Sequence, residues 1–446
     1  MKKNSLTEGS IFKGILFFMI PIILSTLLQQ FYNVTDSFIV GRFAGASELA
    51  ATGATSSITR CLNSLFAGIS LGSTVVVARY LGAKDYDSIN KANCSTIVFS
   101  FSIGLLTLII GYILAVPMCR WTEVPADIMD MTLSYYRIYL FGFLFNSIYS
   151  VTSGCLRALG DSRATLDFIA ISSVINIGLD LLFVAVMKLG VQGAAVATAL
   201  AMITTAVLSI LKLARYNEQI YINKDNFEIS LPMIGQIVSL GLPNGIQVMA
   251  SSFSNILAQR YINLFGTFPI AGVTVAQKVN SIVNAPTHGF SPAATTFTSQ
   301  NLGAGRNDRV KESIKIQLVM SFVVSIAIAI PIFLFADGIA ALFNPEPEVV
   351  QVAADYMKLL AISEPLQCLS HIYNGTMRGA GNTVFPMLMT GFSQVVVRIA
   401  FLYFGLKLHF DIHMIYYSSV VVNISMAILP ISYFYLTGYG KKHDLV

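Results

Sequence analysis

The sequence predicts an all-α membrane protein of twelve transmembrane helices arranged as two six-helix lobes. Three observations lead there. The chain of 446 residues is 55% apolar and only 11% charged, where a soluble domain carries roughly 25% charged residues. Its apolar runs are long enough to cross a hydrocarbon core of about 30 Å as tilted helices, and they lack the ten-residue alternation of a membrane barrel. Two short segments also recur in one register. Leu81-Gly82-Ala83 is echoed by Leu302-Gly303-Ala304, and Gly154-x-x-Arg157-x-x-Gly160 by Gly375-x-x-Arg378-x-x-Gly381, each 221 residues on. A duplicated unit is a common ground plan of secondary transporters.

The spans follow in order. Span one, 13–40, carries Pro21 and a polar stripe, Gln29, Asn33 and Asp36. It continues past Val40 without a small-residue cleavage site, too long for a signal-peptide core. Span two, 48–77, ends before the first Leu-Gly-Ala turn, and span three covers 92–117. Span four, 131–156, is rich in tyrosine (Tyr135, Tyr136, Tyr139) and runs into the Arg157 segment. Span five, 164–187, holds Asn176 and Asp180, four apart and so on one helix face. Span six, 190–213, contains Thr198. The longest polar connection, with Arg215, Glu218, Lys224, Asp225 and Glu228, precedes span seven, 234–264, where Pro243 stands much as Pro21 does. Spans eight to twelve cover 269–298, 311–336, 348–377, 384–408 and 413–437. The expected domains are a lobe at 1–213, a cytoplasmic linker at 214–233 and a lobe at 234–446. Six spans per half make the repeats parallel, related by a pseudo-two-fold axis along the membrane normal.

Basic residues set the orientation. One set of loops holds Lys2, Lys3, Arg79, Lys84, Lys91, Arg157, Arg163, Lys212, Arg215, Lys224, Arg306, Arg309, Lys311, Arg378, Lys441 and Lys442. The other holds only Arg42, Arg120, Lys188 and Lys407. Both termini are expected in the cytoplasm of a multi-pass cell-membrane protein. Nothing in this spread suggests a nucleic-acid surface. The five cysteines form no CxxC pair and read as packing residues.

The informative residues are acids within apolar spans. An aspartate at the bilayer centre costs about 2.5–3.5 kcal/mol on insertion scales. Asp36 and Asp180 therefore call for a water-filled cavity, a bound cation or a proton. Asn176, Thr198 and Ser153 add neutral oxygens, the ligand type a hard cation prefers. A purely structural reading pairs the acids with a buried arginine, Arg60 or Arg137. Around the matching positions of the second half stand Leu257, Ala258 and Gln259, and Ala400, Phe401 and Leu402. A fold that required the carboxylates would tend to keep them in both copies.

The second half has its own buried charges. Lys278, Glu364 and Arg398 read either as substrate-cavity residues or as a stabilising set in which Lys278 and Arg398 pair with Glu364. Lys358 and Asp355 are expected to snorkel. Gln29, Tyr32, Asn33, Tyr135 and Tyr139 suit a cavity that takes amphiphilic organic cations through stacking and cation–π contact. The proline pair reads as hinges or as fixed kinks. The Gly-x-x-Arg-x-x-Gly segments read first as turns and gate hinges.

These features together resemble the multidrug and toxic-compound extrusion (MATE) family. The carriers are Tyr32-Asn33-Val34-Thr35-Asp36, the Leu-Gly-Ala turns, the two arginine segments, Asn176-x-x-x-Asp180 and Gly193-Ala194-Ala195-Val196-Ala197-Thr198. The resemblance implies two six-helix lobes around a cavity, and export of organic cations and other toxic amphiphiles in exchange for sodium or protons. It maps the first-lobe cation site onto Asp36, Asn176, Asp180 and Thr198, with Ser153 where some members have an asparagine. It also implies that Tyr32 and Tyr135 border the cavity. Some branches carry an acid in helix seven after a Gly-Leu-Pro segment; here Ser251 and Ser252 follow Gly241-Leu242-Pro243. The expectation is a monomeric antiporter without a cofactor, embedded in lipid, with sodium or protons as the coupling ion and small amphiphiles as partners. The alternative is a flippase whose basic second lobe (Lys278, Arg398) grips a lipid phosphate. An enzyme is not expected, since no HExxH pattern occurs and the one GxSxG match, Gly68-Ile69-Ser70-Leu71-Gly72, lies within an apolar span rather than at a nucleophile elbow.

Overall fold

The structure, a computed structural model, describes residues 6–122, 124–223 and 226–437. Lys2, Lys3, Lys224, Asp225, Lys441 and Lys442, which entered the orientation and linker arguments, lie outside them. The described residues form helices joined by short turns. These are α1 Ile11–Ala44, α2 Ala46–Ala83, α3 Tyr86–Trp121, α4 Met129–Ala158, α5 Ser162–Val186 and α6 Gly190–Ala214. After the linker come α7 Leu231–Ile262, α8 Thr267–Val283, α9 Ala285–His288, α10 Phe290–Gly303, α11 Asn307–Phe343 and α12 Pro347–Gly379. Helices α13 Val384–Leu408 and α14 His413–Leu436 complete the chain. Among the described residues, nine (α1–α6, α11, α13 and α14) are long and apolar enough to cross a membrane. Helices α7 and α12 are as long but more polar, and α8 to α10 form one run interrupted at Asn284 and Gly289. All twelve expected segments are thus helical.

Contacts group the described residues into two units. One comprises Ile20–Gly245, the other residues 6–19 and 246–437. This grouping differs from a division at the linker. The first part of α1 belongs to the second unit, and the first part of α7 belongs to the first. Pro21 and Pro243 each lie within a turn of the changeover, where a missing backbone N–H loosens the helix ladder.

Specific contacts make the exchange possible. In the first unit, Gly68 and Gly72 of α2 let the α7 backbone come close. A Cβ at Gly72 would run into the Ile237 carbonyl, and one at Gly68 would stand 2.6 Å from the Gly241 carbonyl. The linker folds onto α3: Asn90 Nδ2 donates to the Gln219 carbonyl (3.1 Å), the Ser230 N–H to Ser95 Oγ (2.8 Å), and Lys91 pairs with Glu228 at 3.0 Å. In the second unit, Asn301, Arg306 and Arg309 donate to the carbonyls of Leu6, Thr7 and Gly9 at 2.6–3.4 Å. Buried Leu6 anchors that strap.

The repeat is visible bond by bond. Thr74 Oγ1 donates to the Gly154 carbonyl at 3.1 Å, and Thr295 Oγ1 to the Gly375 carbonyl at 3.1 Å. Arg157 Nη2 donates to Ser70 Oγ at 3.2 Å, and Arg378 Nη1 to Ser291 Oγ at 3.2 Å. The arginine segments therefore clasp α4 to α2 and α12 to α10. Their leading glycines admit the close approach: a Cβ at Gly154 would lie 2.6 Å from the Ser70 carbonyl, and one at Gly375 2.7 Å from that of Ser291. Asp85 caps α3 through the Ser88 N–H (3.0 Å), and the bonds from Ser88 hold its carboxyl below the usual carboxylate range.

Candidate functional site

The first unit brings residues of α1, α4, α5 and α6 together in its interior. Asp36 lies near the end of α1, one turn before a π-helical stretch, Val40–Ala44. Asp180 closes the regular part of α5, and a second π-helical stretch, Leu181–Val186, follows it at once. Such wide turns recur at functional positions in helices. The two pack together with α6 in an apolar cluster of Ile39, Val40, Val184 and Ala194. That packing fixes the two acids relative to one another.

The Asp36 and Asp180 carboxyls face each other within hydrogen-bonding reach. Asp180 and Asn176 are completely buried. Asp36 Oδ1, both Asp180 oxygens and both polar atoms of the Asn176 amide are buried without a hydrogen-bond partner. Ionised carboxylates only accept. Two that face each other in an apolar interior can coexist only by sharing a proton or a cation between them. Among the described residues no arginine or lysine forms an ion pair with either acid. Arg137 instead lies over the Tyr112 ring, 5.0 Å from its centroid.

Tyr32, one turn before Asp36, lies against Thr198, with Asp36, Asp180 and Tyr139 nearby. Tyr135 also faces the acids. It begins an aromatic wall on α4, stacked on Tyr139 (6.1 Å), which stacks on Phe143 (6.2 Å), with Phe66 edge-on at 5.3 Å. Beyond Tyr32 and Thr198 opens a small cavity of about 80 Å³. Gln29, Asn146, Tyr149, Ser172, Ser173, Met202 and Thr205 line it. Asn33, one turn before Asp36 in α1, is exposed. Ser153 is committed elsewhere: its hydroxyl donates to the Ser150 carbonyl (2.8 Å) and accepts from Arg157 (3.2 Å).

The second unit arranges its buried charges differently from the stabilising set expected of them. Glu364 Oε1 accepts from Thr287 Oγ1 at 2.8 Å. With the Asn284 amide nitrogen turned toward it, the carboxylate accepts there too, at 2.9 and 3.2 Å. Arg398 is not its partner, because the guanidinium donates to Asn255 Oδ1 at 2.8 Å and Ser254 Oγ at 3.4 Å. Lys278 is exposed. Lys358 pairs with Asp337 at 3.0 Å. His288 and His371, far apart in sequence, meet with ring centroids 4.8 Å apart. Sequence reading also missed Asn146, Ser172 and Ser173; the available signal was a set of amides and hydroxyls inside apolar spans.

The MatE family model matches the chain twice, over residues 21–182 and 243–404. This chain belongs to the MatE family. The paired match is the internal duplication seen from outside. Among curated relatives, the chain is 26% identical to the "Probable multidrug resistance protein YoeA" of Bacillus subtilis (strain 168), over 89% of this chain and 87% of that protein. It is 23% identical to the "Probable multidrug resistance protein NorM" of Thermotoga maritima, over 85% and 82%. Of solved structures, "MATE in the bent conformation" superposes with a TM-score of 0.92 at 22% identity, covering all of both chains. A Pyrococcus furiosus transporter of the MOP superfamily, described as having a binding pocket of reverse polarity, superposes at 0.91 with 22% identity over 99% of each chain. At these identities the structural matches speak for the fold.

Proposed function

We propose that this MatE-family chain exports small amphiphilic toxic compounds, organic cations among them, by antiport against protons or sodium ions entering through the first unit. The observation that carries the reading is the Asp36–Asp180 pair: two facing carboxyls, Asp180 fully buried and Asp36 half-buried, without a basic partner among the described residues. The oxygens of Asp36, Asp180 and Asn176, with Thr198 close by, make a donor set suited to a hard cation, and the carboxyl pair alone suits a proton. The cavity beyond Tyr32 and Thr198 has a polar rim with aromatic and thioether surface (Tyr149, Met202), a lining that fits an amphiphile. The names of the curated relatives point to the same substrate class.

Coupling needs only that cation and drug favour different conformations. A cation entering from outside neutralises the acids. The end of α1 and the π turn of α5 then repack, and the drug loses its preferred state. Release of the cation inside restores it. In this reading the protein sits in the cell membrane as a monomer with both termini in the cytoplasm. Drug efflux from cells expressing the Asp36→Asn variant, folded and present in the membrane, tests the reading. Export is expected to stop, and gradient-driven export at the normal rate would refute the role given to Asp36.

A further inference from the structure

We propose that Arg398 is the centre of a binding site for a small monovalent anion, halide or carboxylate, at the place in the second unit where the first unit holds its acids. The duplication supplies the register. The two family matches, which begin at Pro21 and Pro243, are 222 residues apart at both ends, while the motifs between repeat at 221. The offset of the matches sets Ala258 on Asp36, Leu402 on Asp180, Asn255 on Asn33 and Arg398 on Asn176. Arg398 reaches Asn255, and Ala258 and Leu402, both fully buried, share one apolar core. A guanidinium thus stands within a residue of the place where the first copy has the Asn176 amide beside two carboxylates.

The surroundings of Arg398 are those of a charge awaiting a partner. Arg398 is 6% exposed. The acceptors its guanidinium meets, Asn255 Oδ1 and Ser254 Oγ, are neutral, and its Nε is buried with none. Among the described residues it has no ion pair. A guanidinium stays protonated in a protein, and leaving one charge of a pair uncompensated in an interior is strongly unfavourable. An anion supplies both the missing charge and the missing acceptor. The Tyr356 phenol lies nearby as a further polar group. A π-helical stretch, Phe392–Val397, lies immediately before Arg398. Ala258 and Leu402, both buried, add no further polar group there.

Thermal unfolding of the purified full-length protein tests this in sodium chloride, sodium acetate and sodium gluconate at equal ionic strength. Stabilisation by chloride over gluconate is expected, with a rise in midpoint of about 2–4 °C. Arg398→Gln should abolish it, and Arg398→Lys should raise the half-saturating chloride concentration severalfold. Stabilisation by acetate as well marks a carboxylate-accepting site; stabilisation by chloride alone marks a halide site. Equal midpoints of the unmodified protein in all three salts overturn the proposal. So does a chloride effect that survives unchanged in both variants. The effect should persist in Asp36→Asn, which separates this site from the antiport reading.

Discussion

The proposed coupling rests on two residues, and two others hold the frame around them. Asp36 Oδ1 and both Asp180 oxygens are buried without a donor, so on the proposed coupling replacing either acid by asparagine removes the shared proton or cation but keeps the side chain's shape. Coupling free energies of about 1–3 kcal/mol correspond to roughly 5–150-fold changes in affinity. Loss of the acid should cost the drug-binding response to an imposed gradient a factor in that range, measured as drug affinity with and without the gradient. Arg157 is the structural contrast. It donates to Ser153 and Ser70, and hydrogen bonds from charged donors contribute about 1.5–3 kcal/mol each. Arg157→Gln should lower the thermal midpoint while leaving the acids' cation response intact. Asp85 is a smaller case. Its native carboxyl titrates below its unfolded value, so its contribution is present at neutral pH and lost as pH falls through the native value. Asp85→Asn keeps a capping side chain and should flatten only the part of the pH–stability curve below about pH 4.

Helices explain why some of this was readable from sequence and some was not. The twelve segments were legible because apolar length needs no tertiary context: α13 spans Val384–Leu408, the bounds read from the residues alone. The acid cluster was legible because a carboxylate in an apolar run stands out, and Asn176 and Asp180 lie one turn apart. Ser153 was not, since a hydroxyl's partner depends on which neighbour arrives, and here that neighbour is Arg157. Likewise, sequence offered Glu364 a basic partner, but α9 places Thr287 at its carboxylate and Arg398 faces α7 instead. The exchange of half-helices between units was hidden too, because it depends on backbone approach at Gly68 and Gly72 rather than on hydropathy. That packing is testable. Gly72→Val sets side-chain atoms against the Ile237 carbonyl and should cost about 3 kcal/mol, at the upper end of overpacking, read as a lower unfolding midpoint.

At the scale of the whole molecule, duplication and divergence together frame the proposed function. The two copies retain the same clasps, Thr74 to Gly154 and Thr295 to Gly375, and part company at the ionic positions. One copy has the acids, the other Ala258 and Leu402 in an apolar core. A transporter built this way is expected to take its driving ion through the first unit. The most direct test is drug efflux from proteoliposomes under separately imposed pH and sodium gradients, with the unmodified protein, Asp36→Asn and Asp180→Asn. The account predicts that at least one gradient drives export by the unmodified protein and neither drives it in the variants. Undiminished gradient-driven export by Asp36→Asn and Asp180→Asn would contradict it.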